Sequence, residues 1–158
     1  MLKKNKIEIV VVLDNIRSMH NIGSIFRTCD AIGNCKIHLC GICATPPNKN
    51  IYKTALGATN SVNWQYFKTI KESIQKLKEE EYEVLGIEQT NTSLSLNEFH
   101  TDSKKIGLIF GNEIKGLSKY AINNASSLIE INQYGIKKSM NVSVVAGIVL
   151  WTISNINT

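Results

Sequence analysis

Three short segments of the chain carry side chains able to do chemistry. The first is Asn21-Ile22-Gly23-Ser24-Ile25-Phe26-Arg27. An arginine can grip a phosphate through two parallel N–H bonds. Arg27 follows Asn21 by about two helical turns, roughly below the same strand end. The plainer alternative makes Asn21 a helix N-cap and Arg27 a surface residue. The second segment is Gly111-Asn112-Glu113-Ile114-Lys115-Gly116, entered from the apolar run Leu108-Ile109-Phe110. A buried strand that opens into a glycine turn lets a ligand approach the backbone closely. Glu113 can orient a hydroxyl or pair with Arg27, or it is an exposed turn acid. The third segment runs from Ile131 to Asn141 and ends in Ser139-Met140-Asn141. Serine and asparagine side chains accept the free N–H groups of a first helical turn. The same two residues can face a substrate, with Ile131 and Met140 flanking an apolar ring.

These segments need a frame. Ile7–Leu13 is apolar and β-branched and predicts a strand. Asn21–Gly33 places Ile22, Ile25, Phe26, Cys29 and Ile32 at helical spacing, with Gly33 as the stop. Further strands are predicted over 36–42, 61–67, 82–89, 105–110 and 127–131. Helices are predicted over 50–58, 69–81 and 117–124, and 91–101 reads as irregular. After Asn141, residues Val142, Val145, Ala146, Val149 and Ile153 share one face of a last helix. Alternating strands and helices predict an α/β domain with a mainly parallel sheet flanked by helices. In such sheets ligands bind beyond the carboxyl ends of the strands. All three chemical segments follow strand ends, so one site built from all three is the economical expectation.

With 158 residues the chain fits one domain, taken here as residues 1–158. Its 43% hydrophobic and 20% charged content is that of a globular protein. No apolar run is long enough to cross a bilayer. The basic start, residues 1–6, precedes a segment without a signal-cleavage pattern, so a cytoplasmic location is expected. The net charge of +5 favours an anionic partner. Five of the 13 acidic residues crowd into 72–83, whereas Arg17, Arg27, Lys115, Lys119, Lys137 and Lys138 sit beside the three segments. That distribution points to a phosphate backbone. Cys40 and Cys43 have a spacing that can bind zinc or do redox chemistry. No second ligand pair accompanies them, so buried thiols are the default and no metal is expected. His20, next to Asn21, can titrate near neutrality but also fits an exposed loop.

The three segments, in this order, resemble the signature motifs of the SpoU/TrmH family of RNA ribose 2′-O-methyltransferases, within the SPOUT superfamily. That pattern is asparagine, any, glycine, three of any and arginine; then glycine-any-glutamate with a further glycine; then a loop leading to Ser-Leu-Asn-Val-Ser. The similarity spans Val10 to Trp151. Two departures stand in the third motif: Asn132-Gln133 where the family often has Pro-Met, and Met140 for leucine.

The resemblance implies a deep C-terminal trefoil knot, an S-adenosylmethionine pocket formed by it, and a homodimer in which the arginine reaches toward the partner's cofactor. It implies that Gly111, Ile131 and Met140 line the cofactor. It assigns Asn21, Arg27, Glu113, Ser139 and Asn141 to catalysis and substrate binding. The expected activity is S-adenosylmethionine-dependent 2′-O-methylation of RNA, with tRNA favoured over rRNA. No separate RNA-binding domain is expected. A guanidinium holds its proton above pH about 12, so Arg27 is read as a phosphate ligand that stabilises developing negative charge. Two other readings remain. One is a knotted RNA-binding or assembly factor without activity. The other is a Rossmann-type nucleotide enzyme, which lacks its G-x-G-x-x-G turn here.

Overall fold

A computed structural model describes residues 7–156. The basic start, residues 1–6, lies outside the described residues. Seven strands form one sheet: β1 (Glu8–Asp14), β2 (Cys35–Cys40), β3 (Asn63–Phe67), β4 (Glu83–Ile87), β5 (Leu94–Ser95), β6 (Lys105–Phe110) and β7 (Ser127–Glu130). The sheet order is β3-β2-β1-β6-β4-β7-β5, and every pairing is parallel. Five helices flank it: α1 (Met19–Ile32), α2 (Lys49–Ala55), α3 (Ile70–Glu79), α4 (Lys119–Asn124) and α5 (Val142–Ser154). The expected α/β architecture with a parallel, helix-flanked sheet is therefore present.

The sequence pattern explains the layers. In a parallel sheet covered on both faces, central strands are apolar throughout. Central β1 obeys this from Ile9 to Leu13, all buried. Its side chains alternate between faces. Ile9, Val11 and Leu13 meet one helical layer, with Ile22, Ile25 and Phe26 of α1, Ile51 of α2 and Val149 of α5. Val10 and Val12 meet the other, with Ile74 and Leu77 of α3 and Ala121 of α4. Each fully buried aliphatic side chain is worth about 1.5–3 kcal/mol. The ion pairs among the described residues, Lys36–Glu8 and Lys76–Glu80, are exposed and worth at most about 1 kcal/mol each. Apolar packing therefore holds the fold.

Local chemistry shifts some boundaries. The first helix begins at Met19 because the Ser18 hydroxyl caps it, accepting the Asn21 N–H at 3.1 Å. Asn21 thus lies inside the helix and is not its cap. Gly33, at φ 73°, ends the helix as predicted. Asn48 caps α2 by accepting the N–H groups of Asn50 and Ile51. The stretch predicted as irregular holds the two-residue strand β5 and a single 3₁₀ turn over Leu96–Glu98. Two residues are too few to show strand alternation. Gly23 marks a close helix crossing: a Cβ there would lie 2.1 Å from Thr54 Oγ1 and 2.2 Å from the Ile51 carbonyl oxygen. No helix among the described residues is long and apolar enough to cross a membrane.

Candidate active site

The strand order reverses beside β1 and β6, and such switch points leave a crevice outside the carboxyl ends of the strands. A cavity of about 490 Å³ opens there, within the usual range for small-molecule sites. The ends of β4, β6 and β7 supply its floor through Ile87, Phe110 and Ile129. Gly111, Ile131 and Met140, the residues expected to line a cofactor, all border it. So do Asn21, Glu113, Ser139 and Asn141. Arg27 does not: it is exposed on α1. Six residues beyond Asn21 is about 1.7 turns, which carries Arg27 to a different face. The expectation that both sit under one strand end is corrected by that rotation.

Hydrogen bonds stitch the three segments together. Asn141 caps α5, its Oδ1 accepting the Ser143 N–H at 2.8 Å and the Ser143 hydroxyl at 2.6 Å. Its Nδ2 donates to Asn21 Oδ1 at 3.1 Å. The Asn21 side chain also favours the charged form of the Glu113 carboxylate. Glu113 in turn accepts the backbone N–H of Arg17 and of Ser18, each at 3.1 Å. Asn141 is thus oriented by both ends of its amide, Oδ1 toward Ser143 and Nδ2 toward the Asn21 oxygen. Partial burial pushes the Glu113 carboxyl up, but backbone N–H groups and Asn21 outweigh it and hold the group below its ordinary value. Glu113 makes no ion pair with Arg27. The Ser139 hydroxyl borders the cavity and has no partner among the described residues.

The turn after β6 is self-supporting. Asn112 and Gly116 exchange backbone bonds of 3.0 and 2.9 Å. Asn112 Oδ1 accepts the N–H groups of Ile114 and Lys115, and its Nδ2 donates to the Asn15 carbonyl at 2.7 Å. A Cβ at Gly111 would lie 2.3 Å from the Gly116 carbonyl carbon and 2.4 Å from the Leu117 nitrogen. The close approach read from this glycine is thus made by the chain's own returning backbone. By contrast, residues 132–138 make no hydrogen bond among the described residues, and Tyr134 and Ile136 are 92% and 94% exposed.

Sequence reasoning missed Glu88, Gln89 and Glu130, which also border the cavity. Glu88 accepts the Leu117 N–H at 2.8 Å, and Gln89 donates to the Ile131 carbonyl at 3.4 Å. They follow a strand end without a glycine signature, and that position was the available signal. With Glu113 they give the lining three carboxylates against the single cation Lys138. A net acidic cavity in a chain of charge +5 fits a cationic ligand. Apolar Ile131 and Met140 suit a flat ring.

The cysteines are free thiols, and three of them, Cys29, Cys40 and Cys43, are buried. Cys43 Sγ accepts the Ile16 N–H at 3.2 Å and donates to the Leu13 carbonyl at 3.3 Å. Burial pushes Cys40 up to about 12 and Cys43 up to about 11, so both stay protonated at neutral pH.

The chain is similar to known RNA methyltransferases. A tRNA (guanosine(18)-2′-O)-methyltransferase of Aquifex aeolicus is 30% identical over 155 residues, covering 96% of this chain and 71% of that protein. A 23S rRNA (guanosine-2′-O-)-methyltransferase of Neisseria meningitidis is 28% identical, covering 90% of this chain and 56% of its own length. The crystal structure of an AdoMet-bound rRNA methyltransferase from Sinorhizobium meliloti superposes with a TM-score of 0.86 at 26% identity, over 95% of this chain and 57% of that one. The SpoU rRNA Methylase family model matches residues 8–151, and the chain belongs to that family.

Proposed function

We propose that the chain transfers a methyl group from S-adenosylmethionine to a ribose 2′-hydroxyl of tRNA. The observation that carries this reading is the hydrogen-bond relay that joins the three motifs at the mouth of the acidic cavity: Ser143 to Asn141, Asn141 to Asn21 on the first helix, and the N–H groups at the start of that helix to Glu113. The named activities of the Aquifex and Neisseria relatives, both guanosine 2′-O-methylations, support it. When bound, the cofactor supplies an electrophilic methyl group on a sulfonium whose departure needs no acid. The chain must then position the hydroxyl, whose proton passes to a neighbouring group or to the RNA phosphate itself. Asn21 and Asn141, locked in one orientation, present fixed amides. The unpartnered Ser139 hydroxyl is available to the ribose. Ile131 and Met140 hold the adenine between apolar side chains, and Gly111 borders it with backbone.

Arg27 holds a phosphate and stabilises charge on the attacking oxygen. Because it stands outside its own chain's cavity, it serves the cavity of a second copy in a homodimer. Helix α5 supports that assembly. It is apolar all round, yet Val144, Ile148 and Trp151 form an exposed stripe at 51, 38 and 66%. A helix apolar on every face needs cover on every face. The deep trefoil knot belongs to the same reading; the placement of β7 between β4 and β5, followed by a helix packed back on α1, supports it. A cytoplasmic location follows from the RNA substrate.

Labelled methyl transfer to separated tRNA and rRNA pools, with mapping of the modified ribose, tests the activity. Label on tRNA is expected. Label confined to rRNA would reassign the substrate, and cofactor binding without transfer to any RNA would establish a binding factor. Sedimentation at micromolar concentration tests the dimer, and a monomer would remove Arg27 from the shared site.

A further inference from the structure

A second hollow, of about 480 Å³, lies on the other side of the Asn112–Gly116 turn. Asn112, Ile114 and Gly116 border both hollows, so the turn is the wall between them. Its other sides come from Asp14 to Arg17 after β1 and from Ile42 after β2.

Four side chains give it a character distinct from the acidic cavity. Ile42 and Ile114 border it with apolar side chains 62% and 79% exposed. Arg17 and Lys115 border it as cations, and neither joins an ion pair among the described residues. The polar groups at its base are already occupied. Asp14 accepts from the Asn15 amide and from the Ser118 N–H, and Asn15 Oδ1 accepts the Ile42 N–H. The hollow therefore offers apolar walls and free positive charge, with few hydrogen-bond groups left to read a base edge. Unpaired RNA is recognised in this way, by bases laid against side-chain surfaces and phosphates set on cations.

We infer that this hollow binds an unpaired nucleotide flanking the methylated ribose, its base between Ile42 and Ile114 and its phosphates on Arg17 and Lys115. The inference rests on the RNA-methyltransferase reading for the position of the ribose. Because the polar groups are spent, the site selects for an unpaired nucleotide and not for one base identity. It also gives the second motif a double role, with Glu113 facing the relay and Ile114 facing the neighbouring nucleotide.

The test uses the full chain and a fluorescent short oligouridylate carrying 4-thiouridine, followed by anisotropy, by photo-crosslinking and by methyl transfer to unfractionated tRNA. Ile42→Ser with Ile114→Ser should weaken oligouridylate binding roughly fivefold or more. Arg17→Gln should make the plot of log Kd against log salt shallower by about 0.7, one phosphate of a single strand. The crosslink should map to the peptide that holds Ile114 and Lys115. Lys104→Glu, at the opposite end of the sheet, should behave as wild type. All four positions are exposed, and circular dichroism checks that the variants fold. Affinity unchanged within twofold in both hollow variants, a crosslink elsewhere, or no oligouridylate binding by the wild type would overturn the inference. Wild-type protein that crosslinks as expected but labels no tRNA would uphold the hollow and overturn the tRNA-methyltransferase reading.

Discussion

Two segments wall the same cavity and are built in opposite ways. The turn from Gly111 to Gly116 closes on itself with paired backbone bonds, is braced by the Asn112 side chain, and presses its backbone against Gly111. The loop from Asn132 to Lys138 has no hydrogen bonds of its own among the described residues and holds two nearly bare apolar side chains. The turn is organised before any ligand arrives, and it carries the carboxylate that anchors the relay. No hydrogen bond among the described residues organises the loop. Preorganisation is concentrated in the turn that holds charge and is absent from the loop.

Substitutions can break that contrast, the largest effect coming from the turn. Gly111→Ala drives a methyl into backbone that has nowhere to go. It should cost about 3 kcal/mol or more in thermal or chemical unfolding and abolish cofactor binding. Next is Glu113→Gln, which keeps the shape but turns an N–H donor toward one of two backbone N–H groups. It should lower methyl transfer by about 10- to 100-fold through misplacement of Asn21, with a smaller stability loss of about 1–2 kcal/mol.

A smaller effect should come from acid. The Glu113 carboxyl is held below its ordinary value, so its contribution is complete above pH 4.5 and is lost as pH falls through the lowered folded value. NMR signals of the Arg17 and Ser18 amides should hold steady on descent through pH 4.5 and shift only below it. Signals of the loop should show no such transition. Asn132→Pro sharpens the comparison from the loop side. The Asn132 N–H has no partner to lose, and stiffening typically contributes about 0.4–1 kcal/mol. Cofactor affinity by calorimetry should rise about two- to fivefold, with little change in kcat. The smallest effect belongs to Gly135→Ala, where a new methyl meets nothing within 4 Å. Its melting temperature should match wild type, and a large drop would show a structured loop.

The sequence displayed this site unevenly, for physical reasons. Helical and strand periodicity located the frame, because β1 and α1 bury continuous apolar positions that leave a pattern. Gly111, Ile131, Met140, Asn21, Glu113, Ser139 and Asn141 follow strand ends and meet at one cavity, which strand order makes possible. Spacing did not reveal that Asn21 sits inside α1, because the hydroxyl of Ser18 outcompetes it for the cap. It also hid the turn of the helix that carries Arg27 away from the cavity. Glu88, Gln89 and Glu130 had no motif to announce them, since their role depends on β4 and β7 lying side by side. The two-residue β5 is shorter than any periodic signal.

Gly23 carries a last consequence. It is the glycine of the first motif, yet its missing side chain makes room for Thr54 and the Ile51 carbonyl, not for a ligand. Selection on helix packing alone would keep it. A descendant that had lost Arg27 or Asn141 would still need glycine here for the helices to pack. Glycine at this position therefore reports the packing of α1 on α2 and carries no information about a ligand.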